Sequence, residues 1–242
     1  MAVFAIDNDK SSMSRERFTK FIRVLQQRQP DMTVLTDKVH KGQNISAIMR
    51  TAEAAGIGEL HMVKPERGHI VYHNTAGGIG RFTQQRVHND IEDGFGHLRK
   101  RGFALVAAHW SDRAIHYREF DYTQPFALVM GAEKHGLSDY AAREADAHVS
   151  IPIMGLVESY NVSVAAGIIL QEAIHQRQQA GFYVRGCPED EQYRQTLFEW
   201  LQPAMARYCK QHKLPYPELD EDGDLIPPDS IAYRRPKDSP HE

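Results

Sequence analysis

The stretch I-P-I-M-G-L-V-E-S-Y-N-V-S-V-A-A, Ile151–Ala166, decides how this chain is read. Val149-Ser150-Ile151-Pro152 is the apolar end of a strand, Met154–Tyr160 is a small loop, and a helix begins at Asn161. Pro152 has no amide to give to a sheet or to a continuing helix, so it marks the exit from the strand. The side-chain oxygen of Asn161 suits an N-cap, accepting from an orphan amide of the first turn. The corner therefore presents Ser159 and Asn161 at a helix N-terminus, where free N–H groups favour a polar or anionic ligand. Taken alone, it also reads as an ordinary strand–helix corner with a capping asparagine.

Two upstream stretches add to it. N-I-S-A-I-M-R-T-A-E-A-A-G, Asn44–Gly56, reads as a helix with Asn44 as cap and Ile45, Ile48, Ala52 and Ala55 as its buried stripe. Gly56 closes it in the left-handed conformation. Arg50 lies two turns in, near the small residues Ala47, Thr51 and Ala54, which allow a backbone or a phosphate to come close. The apolar strand Phe126–Met130 runs into G-A-E-K-H-G-L, Gly131–Leu137. That is a tight strand-to-helix turn with close backbone approach at Gly131 and a carboxylate at Glu133. Its spacing is not that of a triphosphate-binding loop. Thr75–Gly80 is glycine-rich, but no strand leads into it and no capped helix leaves it, so a dinucleotide fingerprint is rejected.

The remaining elements fall around these. Ser11–Gln29 reads as an amphipathic helix, Met32–Thr36 and Glu59–Val63 as strands, Pro65–Gly80 as a loop and Arg81–His88 as a strand. A helix over Asp90–Arg101 and a buried strand over Phe103–Ala108 follow, then a helix over Ser138–Asp146 and a single late helix over Pro188–Lys210. Leu214–Glu242 is rich in proline and acid and reads as extended or partly disordered. The alternation is that of an open α/β sheet, whose ligand edge lies at the strand C-termini.

With 242 residues, 41% of them apolar, the chain can bury a sizeable core, and a net charge of −3 selects no partner. Its distribution says more. Lys10 to Arg28 holds six cations (Lys10, Arg15, Arg17, Lys20, Arg23 and Arg28) against Glu16 alone. They read either as a solvated helix face or as a phosphate-tracking arm. Cys187 and Cys209 form no metal or disulfide framework, and no apolar run approaches membrane-spanning length. No secretory segment is recognisable at the start, so a soluble cytoplasmic protein is expected.

N-I-S-A-I-M-R-T-A, L-V-M-G-A-E-K-H-G-L and the Ile151–Ala166 stretch, in this order and spacing, resemble the three motifs of the SpoU branch of the SPOUT RNA methyltransferases. The resemblance covers roughly Thr33 to Arg177. R-Q-P-D-M-T-V (Arg28–Val34), the basic helix before it and K-L-P-Y-P (Lys213–Pro217) resemble the TrmH subgroup, which methylates the ribose 2′-hydroxyl of guanosine 18 in the tRNA D-loop. The resemblance implies a mostly parallel α/β sheet whose C-terminal segment threads a trefoil knot. It also implies S-adenosylmethionine as cofactor, tRNA as substrate, a homodimer, and no metal. The core would span 31–180, between a basic helical extension (1–30) and a helical, acid-rich one (181–242).

Residue by residue, Arg50 matches the family's catalytic arginine, and Asn44, Glu133, Ser159 and Asn161 match its polar active-site positions. Ala108, Gly131, Ile151 and Tyr160 would hold the cofactor through backbone groups. Arg15, Arg17, Lys20, Arg23, Arg28, Lys41 and Arg177 form the expected RNA-binding set. Two partners stand open for Glu133: backbone amides of the loops, or Arg50. Gly42-Gln43 stands where the subgroup usually has Pro-His, and Glu158-Ser159-Tyr160-Asn161 where it usually has Gln-Ser-Leu-Asn.

Overall fold

The structure, a computed structural model, describes residues 15–64, 80, 82–133, 135–185 and 189–226. The chain divides into two compact units, one of residues 27–186 and one joining residues 1–26 to 187–242.

The larger unit is built on seven strands: β1 (Met32–Asp37), β2 (Glu59–Val63), β3 (Gln84–His88), β4 (Ala104–Ala108), β5 (Ile115–His116), β6 (Phe126–Gly131) and β7 (Ala147–Ser150). Their order is β3-β2-β1-β6-β4-β7-β5 and every pairing is parallel. Helices α2 (Gly42–Ala54), α3 (Ile91–Lys100), α4 (Asp139–Glu144), α5 (Val162–Gln179) and α6 (Phe182–Arg185) complete it. The short β5 is an edge strand that apolar patterning over two residues could not reveal.

Period-two alternation sorts the strand side chains onto two faces. Phe126, Leu128 and Met130 join Ile45, Ile48 and Met49 of α2 and Ile169, Leu170 and Ala173 of α5 in one cluster. Ala127 and Val129 join Ile91, Phe95 and Leu98 of α3 and Ala141 of α4 in the other. With helices on both faces, β1 is buried at every position, its polar Thr33, Thr36 and Asp37 included.

Capping follows the sequence at three of these helices. Asp90 accepts from Asp93 N (2.7 Å), Ser138 from Ala141 N (3.3 Å) and Asn161 from Ser163 N (2.9 Å). At α2 the expectation fails: the helix begins two residues before Asn44, at Gly42, with Lys41 in the cap position. The Asn44 amide already donates to Lys41 O (3.0 Å), so the side chain of Asn44 is not needed as a cap. Gly56 closes α2 at φ +84, where an added Cβ would lie 2.7 Å from Gln27 O.

In the smaller unit, α1 (Arg15–Gln26), α7 (Glu191–Leu201) and α8 (Pro203–His212) replace the expected pair of helices. The single late helix is split because Pro203 has no amide for the hydrogen-bond ladder, and it starts α8 instead. Phe21 of α1 meets Trp200 of α7 edge to face at 5.8 Å. The acid-rich segment is ordered as far as it is described. Asp220 Oδ1 accepts from Asp222 N and Asp224 N (both 2.9 Å), and Leu219 bridges Leu225. The glycine-rich reading at Thr75–Gly80 lies almost wholly outside the described residues, as do residues 11–14 of the expected first helix.

Candidate active site at the strand C-termini

Because the strands are parallel, β1, β6, β4 and β7 deliver their C-termini side by side at one sheet edge. Asp37 is in register with Gly131, and Ala108 with Val149. Ala108, Gly131 and Ile151, from three chain segments, thus become neighbours at the strand exits. Tyr160 reaches back over the last of them, its hydroxyl donating to Pro152 O at 3.4 Å. Gly131 is bound to its identity: a Cβ there would fall 2.3 Å from the backbone carbon of Gly136. The loop beyond it closes on paired bonds between Ala132 and Gly136, both 2.8 Å.

This closed loop sets Glu133 against α2. Asn44 Nδ2 donates to Glu133 Oε1 through a short hydrogen bond. Asn44 Oδ1 in turn accepts from Asn161 Nδ2 at 3.2 Å, while Asn161 Oδ1 caps α5. A continuous polar chain therefore runs from the first turn of α5, through the first turn of α2, to the loop after β6. Lys41 Nζ stands 4.0 Å from the same Glu133 oxygen. The side chain of Glu133 is only 13% exposed, and its Oε2 has no hydrogen-bond partner among the described residues. Of the two partners left open for Glu133, neither is used among the described residues; Asn44 and Lys41 take that place.

Arg50 is exposed on α2 and makes no hydrogen bond or ion pair within the described residues. Ser159 is exposed and equally uncommitted. Close packing of α5 on α2 holds the frame around them: a Cβ at Gly167 would touch Thr51 at 3.9 Å.

Two members of the expected RNA-binding set are corrected. Arg177 is fully buried, donating to Tyr122 O (2.8 Å), Gln124 O (3.0 Å), Gln29 Oε1 (3.0 Å) and Asp31 Oδ1 (2.6 Å). Arg28 is 8% exposed and bonds Ile57 O (2.7 Å) and Phe82 O (3.0 Å). Both guanidiniums satisfy carbonyls that would otherwise be buried without partners, so neither is available to a phosphate. Arg15, Arg17, Lys20 and Arg23 are exposed on α1, and Lys41 is exposed beside Glu133.

One group at this edge escaped sequence reasoning. Asp37 is 1% exposed, accepts from Ser138 N at 2.7 Å through Oδ2, and leaves Oδ1 without a partner among the described residues. A carboxylate closing an apolar strand is the signal that could have found it. On β7, burial pulls the His148 imidazole below its ordinary value, and Arg113 adds to the effect. Among the described residues no group of three His, Cys, Asp or Glu side chains is placed to hold a metal, and no helix is long and apolar enough to cross a membrane.

Comparison with known proteins matches the family model described as "SpoU rRNA Methylase family" over residues 31–171 and that described as "SpoU, rRNA methylase, C-terminal" over 175–228. The chain is 42% identical over 216 residues to the tRNA (guanosine(18)-2'-O)-methyltransferase of Escherichia coli strain K12, covering 88% of this chain and 94% of that protein. Among solved structures it is similar to the Aquifex aeolicus TrmH/SpoU tRNA modifying enzyme (TM-score 0.71, 33% identity, 78% of this chain and 96% of that one). It is also similar to the AdoMet-bound rRNA methyltransferase of Sinorhizobium meliloti (TM-score 0.54, 32% identity, 65% and 60%).

Proposed function

The chain belongs to the SpoU methylase family, and from that premise we propose that it methylates the ribose 2′-hydroxyl of guanosine 18 in tRNA, using S-adenosylmethionine. The observation that carries this reading is the Asn161–Asn44–Glu133 chain, whose middle member Asn44 lies on the same helix as Arg50, a side chain uncommitted among the described residues. A cofactor of this kind fits the adjoining edge. Ala108 and Gly131 bring little or no side chain to it, and Met154, Leu156 and Val157 supply an exposed apolar lip. When bound, S-adenosylmethionine supplies an electrophilic methyl on a sulfonium.

The protein's own part is orientation. A guanidinium offers N–H donors and no acceptor, so Arg50 acts as phosphate clamp and hydroxyl orienter, not as the base. The proton of the 2′-hydroxyl leaves late, to solvent. Asn44, locked between Glu133 and Asn161, keeps α2 and its arginine in a fixed relation to the cofactor loops, so attack is prepaid in entropy. Ser159 offers a hydroxyl that can donate or accept. The 31–180 core carries this chemistry, the cations of α1 track the tRNA backbone, and the site of action is the cytoplasm.

The segment after β7 forms the family's trefoil knot, and two chains pair so that each pocket is completed at the interface. The exposure of Leu156 (106%), Met154 (94%) and Val164 (49%) supports that pairing, since isolated chains seldom leave such side chains together in water. Sedimentation equilibrium checks it.

Incubating the protein with an unmodified tRNA transcript and methyl-labelled cofactor, then mapping the methyl by nuclease digestion, tests the assignment. The expected product is 2′-O-methylguanosine at position 18, absent when that guanosine is replaced. A methyl at another tRNA position, or transfer to ribosomal RNA alone, would replace the substrate and keep the chemistry.

A further inference from the structure

We propose that Trp110 is a stacking platform for a nucleobase of the RNA substrate; the inference rests on RNA being what this site receives. β4 ends at Ala108, and Ala107 is paired with Val129 of β6. Trp110 therefore leaves the sheet one strand away from the Gly131–Glu133 turn, on the same edge. Neighbouring strands are about 4.8 Å apart, so the backbone carrying Trp110 leaves the sheet beside the strand exits of the proposed cofactor edge.

Its surroundings are built to present it. The indole is 80% exposed, whereas Phe95, Phe103, Phe120, Tyr122 and Phe126 of the same unit are buried. Trp110 makes no ring contact or hydrogen bond among the described residues. Yet the loop carrying it is tied down on both sides. His109 N donates to Val149 O (3.1 Å) and Ala114 N to Ser111 O (2.9 Å), and Ser111 Oγ pairs with His148 Nδ1 (2.7 Å). Arg113 Nη2 donates to Ala142 O (2.6 Å). A large flat ring held out on an anchored loop loses little conformational entropy when something stacks on it.

The chemistry of the occupant follows from the residues that flank Trp110 in the chain. The recess that they form with α4 and β7 is lined by His109, Arg113, Arg143 and His148 but also by Asp112 and Asp139, so its charges largely offset and select no strongly charged peptide. A nucleobase asks only for an open π-face, and base-on-aromatic stacking tolerates any base. The ring thus holds a base near the methylated ribose without reading its identity.

The chain has two tryptophans, and the other, Trp200, is 5% exposed. In a Trp200→Phe variant, emission reports Trp110 alone. Titration with an unmodified tRNA transcript should quench it saturably at fixed protein concentration, and S-adenosylhomocysteine alone should not. Trp110→Ala should raise KM for the transcript about tenfold, the scale of one lost stack, with kcat nearly unchanged and Trp110→Phe retaining most of the affinity.

An unquenched indole, or wild-type KM in Trp110→Ala, overturns the inference. Quenching by S-adenosylhomocysteine alone overturns it in favour of the cofactor pocket, and emission that shifts with protein concentration in favour of a second copy. Methyl transfer by the wild-type protein, measured in the same preparation, separates the two readings. Transfer with an indifferent indole removes only the platform, whereas quenching without transfer removes only the activity.

Discussion

Asn44 and Glu133 are 89 residues apart in sequence, and the Asn44 amide donates to the Glu133 carboxylate. The contact joins the first turn of α2 to the loop after β6, so the helix carrying Arg50 and a strand exit of the proposed cofactor edge are held by one bond. Because Asn44 Oδ1 also accepts from Asn161, the orientation of one amide decides the geometry of three chain segments.

Glu133→Gln tests that lock. The substituted amide can turn its NH2 toward Asn44 and force a flip that breaks the bond to Asn161. Losing one hydrogen bond to a charged group, roughly 1.5–3 kcal/mol, should lower kcat by about 10- to 100-fold. KM for the cofactor should change less. A lowered melting temperature with kcat unchanged would make Glu133 structural.

Arg50 is uncommitted among the described residues, so its replacement leaves none of them unpaired. Arg50→Ala should abolish methyl transfer without lowering the melting temperature. Arg50→Lys keeps the charge and should retain part of the rate, as a clamp requires. Loss in the lysine variant as complete as in the alanine one would contradict a simple charge role.

The arginines predict opposite phenotypes. Arg177→Met leaves Asp31 and two carbonyls without their donor, and breaking a buried ion pair costs about 3–5 kcal/mol. Calorimetry should show a melting temperature lower by roughly 6–15 °C. Neutralising Arg17, Lys20 and Arg23 together should lower melting far less, although Arg17 lies over the Phe21 ring at 5.4 Å. It should weaken tRNA binding and flatten its dependence on salt, because each phosphate contact contributes to the slope. An unchanged slope would make α1 a purely structural helix.

A buried histidine pair sets the acid response. His61 Nδ1 lies 2.9 Å from His88 Nε2, and His88 Nδ1 lies 3.3 Å from Asp93. Burial holds the His88 imidazole below its ordinary value near 6.5, with Asp93 opposing and Arg86 reinforcing. Burial likewise lowers His97, whose ring lies 5.5 Å from that of His88. A histidine whose folded value is depressed binds its proton first in the unfolded chain, so its contribution is complete above about pH 6.5 and lost as pH falls below it. Chemical denaturation between pH 8 and 5 should show stability declining through that window, and His88→Gln should flatten the decline.

The order of strands and helices was legible because a doubly covered parallel sheet writes its strands as continuous apolar runs, as at Phe126–Met130. Asn161 as cap and Gly131 as a point of close backbone approach were legible too, since each obeys a local rule of hydrogen bonding or sterics. The break at Pro203 was also written locally and was passed over. Asn44 was misread as a cap because its residue type is the same whether the side chain serves its own helix or a carboxylate 89 positions away.

Composition and motif spacing, then, determined by themselves the α/β class and the family that the chain resembles. Tertiary structure alone decided which charges are available. Arg23 and Arg177 are chemically identical, yet one faces water and the other is enclosed by carbonyls, Gln29 and Asp31. That distinction depends on which distant groups pack around a guanidinium and remove its hydration, and no local pattern encodes it.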